Sequence, residues 1–159
     1  MLREFQGHRR NLDLLRRSIE RGTLPPSLIF AGPAPEKRDI ALAVAEALNG
    51  DDPRIARGAH PDVLIIEPGD NGSIKIEQVR DAIDRAMYRP FEGKRRVVII
   101  DEADALVDAA QNALLKTLEE PPSSSIFILV AARPDMLLAT VRSRCIRLTF
   151  PQSTATEID

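Results

Sequence analysis

Apolar residues occur in five short, nearly continuous runs, each separated from the next by a segment with helical spacing. The runs are predicted to be strands, at Ser27–Ala31 and at residues 62–66, 97–100, 126–130 and 146–150. Strands that are apolar at consecutive positions are typical of a sheet buried on both faces. The pattern therefore predicts an α/β fold, in which a five-stranded parallel sheet is flanked by helices.

The segments between the runs are predicted to be helices, at residues 8–21, 36–48, 76–87, 108–120 and 137–141. A glycine, an Asn-Gly pair or a proline follows each of the first four, as expected where a helix ends. In the third, the apolar residues Ile76, Val79, Ile83 and Met87 are predicted to form the buried face. Ligands of such sheets bind beyond the carboxyl ends of the strands, so the residues after each strand are candidates for chemistry.

Composition restricts the classes of function without selecting one. The chain has 159 residues, 43% hydrophobic and 29% charged, as expected for one globular domain. The formal net charge of −2 neither favours nor excludes a nucleic-acid partner. A single cysteine, Cys145, excludes an internal disulfide and a cysteine-rich metal site. No apolar stretch approaches the roughly 20 residues of a membrane span, so we expect a cytoplasmic protein with no membrane partner.

Two carboxylates, Asp101 and Glu102, directly follow the strongest predicted strand. An aspartate at the carboxyl end of a buried strand can hold Mg²⁺, and a neighbouring carboxylate can orient an attacking water. Acidic residues also end many strands without any such role. The pair indicates a nucleotide site more strongly because a strand, a loop and a helix precede it.

The loop between the first strand and the second helix begins with Gly32 and resembles a phosphate-binding loop whose key residues are wrong. A working loop has the pattern G-x-x-x-x-G-K-[ST], in which backbone N–H groups, a lysine and a hydroxyl hold the phosphates and Mg²⁺. Counting from Gly32, the second glycine is replaced by Lys37, the lysine by Arg38 and the hydroxyl by Asp39. Pro35 also removes a backbone donor.

These replacements predict a relic of a phosphate loop. Asp39 places a negative charge where an anion would bind, and Lys37 resists the backbone conformation of a glycine. Lys37 and Arg38 could attract phosphate weakly at the helix N-terminus, but they cannot rebuild the cradle. We therefore expect that ATP and Mg²⁺ binding has been lost and that the domain has no ATPase activity of its own.

Arg144 lies between Ser143 and Cys145, just before the last strand. An arginine near the edge of the sheet can reach a phosphate bound by another chain. From the residues alone, a solvated arginine is the commoner outcome. Cys145 has no nearby histidine to activate it and is predicted to be a small buried residue.

Six sequence strings together resemble the AAA+ module of clamp-loader subunits of the bacterial DNA polymerase III. The strings are SLIFAGP at 27–33, HPDVLIIEP at 60–68, IKIEQVRDAI at 74–83, RPFEGKRRVVIIDEADAL at 89–106, QNALLKTLEEPP at 111–122 and VRSRC at 141–145. The resemblance covers nearly the whole chain. It implies a P-loop NTPase core of the AAA+ type, working in a ring-like pentamer with ATP sites between neighbouring subunits.

The resemblance also implies roles for particular residues. One kind of subunit in this family has a disabled ATP site, and the arginine at the position of Arg144 reaches the ATP site of an adjacent gamma/tau subunit. Gly32, Lys37, Arg38, Asp39, Asp101 and Glu102 would then be a vestigial nucleotide site. The implied partners are gamma/tau ATPase subunits and a delta subunit, with the sliding clamp and primer–template DNA reached through the complex.

The chain departs from the family in two places. Many relatives carry a four-cysteine zinc module before the second strand, whereas residues 49–60 here are short and free of cysteine, so no zinc is expected. The polar sensor residue that active members carry after the fourth strand is replaced by Ala131 and Ala132. Neither alanine can hydrogen-bond to a phosphate or to an attacking water.

We therefore interpret the chain as a non-catalytic clamp-loader subunit that organises the complex and supplies Arg144 to a neighbouring ATPase. Residues 1–151 would form the AAA+ core, and residues 152–159 would begin a linker to lid and collar domains outside this sequence. The isolated domain is expected to be a monomer. The main alternative is an active ATPase of the gamma/tau type with an atypical loop, and a third is an interaction scaffold outside replication.

Overall fold

The computed structural model describes residues 2, 5 and 7–152 and contains one parallel sheet of five strands. The strands are β1 (Ser27–Ala31), β2 (Val63–Ile66), β3 (Arg96–Ile100), β4 (Ser125–Ala131) and β5 (Ile146–Thr149). Their order across the sheet is β2-β3-β4-β1-β5, and every pair is parallel. The predicted fold class is confirmed.

In the described part of the chain, five α-helices accompany the sheet: the first precedes β1, and each of the other four connects two successive strands. They are α1 (Arg9–Arg21), α2 (Lys37–Leu48), α3 (Ile76–Ala86), α4 (Asp108–Glu119) and α5 (Ala139–Arg142). Within the described residues, no helix combines the length and the apolarity that a membrane crossing requires.

The core consists of two apolar layers, one on each face of the sheet. Side chains alternate along a strand, so Leu28 and Phe30 of β1 enter one layer while Ile29 enters the other. Ile40 of α2 packs in the first layer, and Leu114 of α4 packs in the second. The central strands are thus buried on both faces, which explains their continuous apolar runs.

Two expectations about burial are wrong. Met87 is 64% exposed, because α3 ends one residue earlier and the chain then leaves the sheet. The last strand is also more open than its apolar run suggested, with Ile146 exposed over 54% of its surface. β5 lies at one edge of the sheet and pairs only with β1. Edge position, rather than composition, sets its exposure.

The carboxyl ends of β1, β3 and β4 meet at one end of the sheet. The phosphate-like loop follows β1, the acidic pair follows β3 and Ala132 follows β4. The predicted linker falls almost wholly on residues 153–159, which lie outside the described part of the chain.

Candidate functional site

The loop after β1 is bound along its backbone to Phe150, the residue that follows β5. The Phe150 N–H donates to the Ala31 carbonyl at 2.7 Å, and the Ala34 N–H donates to the Phe150 carbonyl at 3.2 Å. Gly32 has a φ of +104°, and a Cβ there would lie 2.5 Å from the Phe150 carbonyl oxygen. Gly32 is therefore required by this close approach of two backbones.

The Lys37 side chain is buried and turned back into its own loop. Its Nζ donates to the Ala34 carbonyl at 2.6 Å, and only 6% of the residue is exposed. Burial lowers the pKa of the Lys37 ammonium, an effect that Asp104, Glu36 and Asp101 only partly offset. In this arrangement the ammonium satisfies a loop carbonyl.

The Arg38 side chain contacts the acidic residues at the carboxyl end of β3. Its Nη1 donates to Asp101 Oδ2 at 2.8 Å and to Glu67 Oε2 at 3.2 Å. The hydrogen bond to Asp101 raises the pKa of the Arg38 guanidinium, despite an opposing effect of burial. A guanidinium and a divalent cation both bind carboxylate oxygens, so a cation at Asp101 would compete with Arg38.

Asp101 has both of its carboxylate oxygens engaged. Oδ2 accepts from Arg38, and Oδ1 accepts from the Glu102 N–H at 3.0 Å. Glu102 is exposed and has a φ of +49°, in the left-handed region that costs a residue with a side chain free energy. Strained residues of this kind cluster at functional sites, so the bend after β3 is a candidate part of one.

A cleft of about 260 Å³ lies between these groups, lined by the loop, by Asp101 and Glu102, and by Ala132. Small-molecule sites typically enclose ~300–1,000 Å³, so the cleft is small for a nucleotide. Asp39 is exposed in the first turn of α2, where its charge suits the helix dipole and opposes an incoming anion. The structure thus brings the residues of the predicted nucleotide site to one end of the sheet. The two cationic groups among them, Lys37 and Arg38, already donate hydrogen bonds to protein oxygens.

Sequence reasoning missed two residues that hold the loop, His8 and Phe150. His8 Nε2 lies 2.5 Å from Glu36 Oε1, and the His8 ring packs edge-on against Phe150 with centroids 5.3 Å apart. Phe150 also packs against Phe30 at 5.2 Å. These contacts join segments far apart in sequence, and no local pattern around His8 or Phe150 signals them.

Arg144 lies at the opposite end of the molecule from the loop. It comes just before β5, whose first residue, Ile146, pairs with Leu28 at the amino end of β1. Its Nη2 donates to Glu119 Oε2 at 3.0 Å, Nη1 donates to Ser143 Oγ at 3.3 Å, and its side chain is 43% exposed. In a parallel sheet the amino and carboxyl ends face opposite sides, so Arg144 cannot reach the cleft of its own chain.

Cys145 packs against the second core layer and is only partly exposed. Burial raises the pKa of its thiol to about 11, which leaves very little thiolate at neutral pH. The structure therefore supports the packing role over a nucleophilic one.

A further cluster of polar side chains brings together Asp52, His60 and Glu92, which lie between the end of α2 and the start of β3. Asp52, His60 and Glu92 could each offer a ligand atom within 4.8 Å of the others. However, the Arg54 guanidinium pairs with both Asp52 and Glu92, and His60 Nδ1 accepts from the Asp62 N–H at 3.0 Å. His60 Nε2 therefore carries the ring proton. In this structure both carboxylates and Nδ1 of His60 are thus engaged by groups of the protein.

The neighbouring Asp62 carboxylate clamps the loop that leads into β3. It is fully buried and accepts hydrogen bonds from the backbone N–H groups of Phe91, Glu92 and Gly93, at 2.8 Å for Glu92. Arg96 completes the set at 3.2 Å. This carboxylate therefore holds the segment that enters β3.

The strand order, the loop after β1 and the acidic pair after β3 define a P-loop nucleotide-binding fold of the AAA+ type. The family described as DNA polymerase III, delta subunit, matches residues 7–154, and this chain belongs to that family. The matched region includes the loop, the acidic pair and Arg144.

Known relatives agree with this assignment. The DNA polymerase III subunit delta' of Bacillus subtilis (strain 168) is 34% identical over 154 residues, covering 89% of this chain and 46% of the relative. The protein of the same name from Yersinia pestis is 47% identical over 89 residues, covering 55% of this chain and 26% of the relative. This chain thus spans less than half the length of these curated relatives.

A solved structure shows the same fold at a sequence identity close to that of the Bacillus subtilis relative. The DNA polymerase III gamma subunit-related protein from Thermotoga maritima superposes with a TM-score of 0.74 at 30% sequence identity. The match covers 87% of this chain and 45% of that one.

Proposed function

We propose that this chain is the AAA+ module of a delta-prime-type subunit of the DNA polymerase III clamp loader, and that it does not hydrolyse ATP itself. The observation that carries the proposal is the bond between Arg38 and Asp101, which occupies the carboxylate that would hold Mg²⁺. The module organises its neighbours while the sliding clamp is loaded in DNA replication, and it supplies Arg144 to the ATP site of an adjacent subunit.

Three features of the loop support the loss of nucleotide binding. Mg-ATP would have to displace Arg38 from Asp101 and draw the Lys37 ammonium out of its buried position. The exposed Asp39 carboxylate would also repel the phosphates. Ala132 lines the same cleft without a side-chain donor, so nothing there compensates for these costs.

The position of Arg144 supports a role towards another chain. Its guanidinium is at the surface, beside the edge strand and away from its own cleft. A guanidinium placed on a neighbour's γ-phosphate stabilises the charge that develops in phosphoryl transfer. The proposed partners are therefore gamma/tau ATPase subunits and a delta subunit, with the sliding clamp and primer–template DNA engaged through the complex. Residues 1–151 form the proposed core, which is monomeric outside the complex.

Nucleotide titration of the full-length subunit tests the first half of the proposal. The native protein is compared with a repaired loop carrying Pro35→Gly, Lys37→Gly, Arg38→Lys and Asp39→Thr, using a fluorescent ATP analogue with Mg²⁺. Native protein that does not bind supports the proposal, and binding gained by the repaired loop assigns the loss to these residues. Saturable micromolar binding by the native protein overturns it.

ATPase assays of the reconstituted clamp loader test the second half. Arg144→Ala is expected to lower turnover by ~10³-fold at the one ATP site that it serves, within the range for arginines supplied in trans. The matched control is Arg142→Ala, which removes an arginine two residues earlier that donates to the Leu137 carbonyl. Turnover at that site that is unchanged in Arg144→Ala contradicts the role.

An active ATPase of the gamma/tau type is the second candidate. It is favoured by the retained Asp101 and Glu102 after β3, and by the similarity to the Thermotoga maritima gamma-related protein. The same titration decides between them, because an active subunit must bind Mg-ATP.

A further inference from the structure

The guanidinium proposed to act in trans is bound in this structure to a carboxylate of its own chain. Arg144 Nη2 donates to Glu119 Oε2 at 3.0 Å, across 25 residues of sequence. Each of the two side chains is 43% exposed. The contact neutralises the positive charge that a phosphate would need to meet.

Glu119 is the last residue of α4, and its charge is poorly placed for the helix itself. The carbonyl groups at a helix C-terminus carry partial negative charge, so a carboxylate there is unfavourable. Pro121 and Pro122 follow after one further residue, Glu120, and prevent the helix from continuing. Arg144 compensates for this unfavourable position, and α4 should therefore tolerate the loss of the Glu119 charge.

We propose that Glu119 holds Arg144 in a retracted position and so limits how strongly this subunit stimulates ATP hydrolysis by its neighbour. The inference rests on the proposed trans role of Arg144. In the retracted position the guanidinium is shared with Glu119 and Ser143 Oγ. In the active position it exchanges Glu119 for the more highly charged phosphate.

The strength of the contact suits a reversible restraint. Exposed ion pairs are weak and are screened by salt, so a phosphate can displace the carboxylate. A restraint of this kind lowers turnover by roughly two- to five-fold, the population effect of a typical exposed pair. A fully buried pair would instead hold the arginine too firmly to be exchanged.

The test uses the full-length subunit in the reconstituted clamp loader, with saturating Mg-ATP, sliding clamp and primer–template DNA. Glu119→Gln, which keeps the shape but removes the charge, is expected to raise turnover about two- to five-fold at low salt. The increase should shrink at high salt, where the native pair is already screened.

The matched control is Glu120→Gln, which makes the same charge change one residue further on. Glu120 is exposed and, within the described part of the chain, forms no ion pair. ATP turnover with the Glu120→Gln variant should match turnover with the native subunit. Glu119→Ala removes the carboxylate by a second route, and Glu119→Asp retains the charge and should stay close to native turnover.

Combination with Arg144→Ala separates the two proposals. Glu119→Gln should have no effect in a subunit that already carries Arg144→Ala, because the restrained group is gone. If Arg144→Ala slows hydrolysis but Glu119→Gln leaves it unchanged or slows it, the restraint is wrong and the trans role stands. If Arg144→Ala has no effect, the trans role fails and the restraint fails with it.

Discussion

The Arg38 guanidinium bonds to the Asp101 carboxylate at 2.8 Å and thereby joins the first turn of α2 to the end of β3. Asp101 is mostly covered, with 16% of its side chain exposed, whereas Arg38 is 37% exposed. The Asp101 carboxylate is thus largely buried, and the Arg38 side chain covers part of it from the solvent side. A divalent cation that bound Asp101 through Oδ2 would have to displace Arg38.

Replacing Arg38 with Ala should therefore create a weak cation site. The change frees the carboxylates of Asp101 and Glu67, and Glu102 and Asp104 line the same cleft. We expect Mn²⁺ to bind with a dissociation constant of roughly 1 mM, as at weak sites built from carboxylates. Water-proton relaxation during a Mn²⁺ titration measures it. Arg57→Ala, which removes the same charge elsewhere, should bind no better than the native chain, and equal affinities for all three proteins would contradict the competition.

Gly32→Ala should destabilise the chain far more than the same change at another glycine with positive φ. At Gly32 the new Cβ meets the Phe150 carbonyl oxygen at 2.5 Å, whereas at Gly72, with a φ of +80°, it meets nothing within 4 Å. We expect a loss of ~3 kcal/mol or more at Gly32, and ~1–2 kcal/mol at Gly72 from backbone conformation alone. Urea denaturation of the two variants measures the difference. Equal losses would show that the backbones separate easily.

Asp62→Asn should change how stability depends on pH. Burial would raise the pKa of the Asp62 carboxyl, but the backbone N–H groups of 91–93 and the Arg96 charge outweigh it and hold the pKa below its ordinary value. A depressed pKa stabilises the folded state above the unfolded pKa of about 4, and this stability is lost as the pH falls through the folded pKa. Asp62→Asn should therefore cost ~3 kcal/mol at pH 7 and flatten the loss of stability below about pH 4.

Unfolding free energies measured at several pH values check this expectation. Asp70→Asn is the matched control, because Asp70 is exposed in the turn after β2 and should leave the pH profile unchanged. A profile for Asp62→Asn that is parallel to the native one would place the source of acid sensitivity elsewhere.

Cys145 should react slowly with disulfide reagents while the chain is folded. With its pKa raised to about 11, roughly 0.1% of the thiol is ionised at pH 8. An unfolded cysteine has a pKa of about 8.5, so we expect reaction at least ~100-fold faster in urea than in buffer. Thiol titration at pH 8 with and without urea measures the ratio, and similar rates would mean that the thiol is open to solvent.

The strands and helices could be predicted closely because their signals are local. The apolar run at 27–31 matches β1 residue for residue, and α1 ends at Gly22 as predicted, with Gly22 in the left-handed conformation. Met87 was misplaced because helical spacing continues one residue past the end of α3. The exposure of Ile146 depends on which strand lies at the edge of the sheet, and the pattern of β5 alone does not contain that information.

The site could be predicted only as a set of residue types near one another. The substitutions at Lys37 and Arg38 are visible in the sequence, but the direction of each side chain depends on acceptors elsewhere. Arg38 bonds to Asp101, from which it is separated by 63 positions in the sequence, and Arg144 bonds to Glu119 across 25 positions. Periodicity and loop patterns describe neighbours along the chain, so pairings of this kind become visible only after folding.

The cation at Asp101 is covalently part of the same molecule, and this has a consequence for the regulation of the site. A diffusible ion or nucleotide occupies its site in proportion to its concentration, whereas a tethered guanidinium has a fixed effective concentration that dilution cannot change. The Arg38–Asp101 pair therefore forms without any ligand from solution, and a cation that competes for Asp101 must displace a group that is always present.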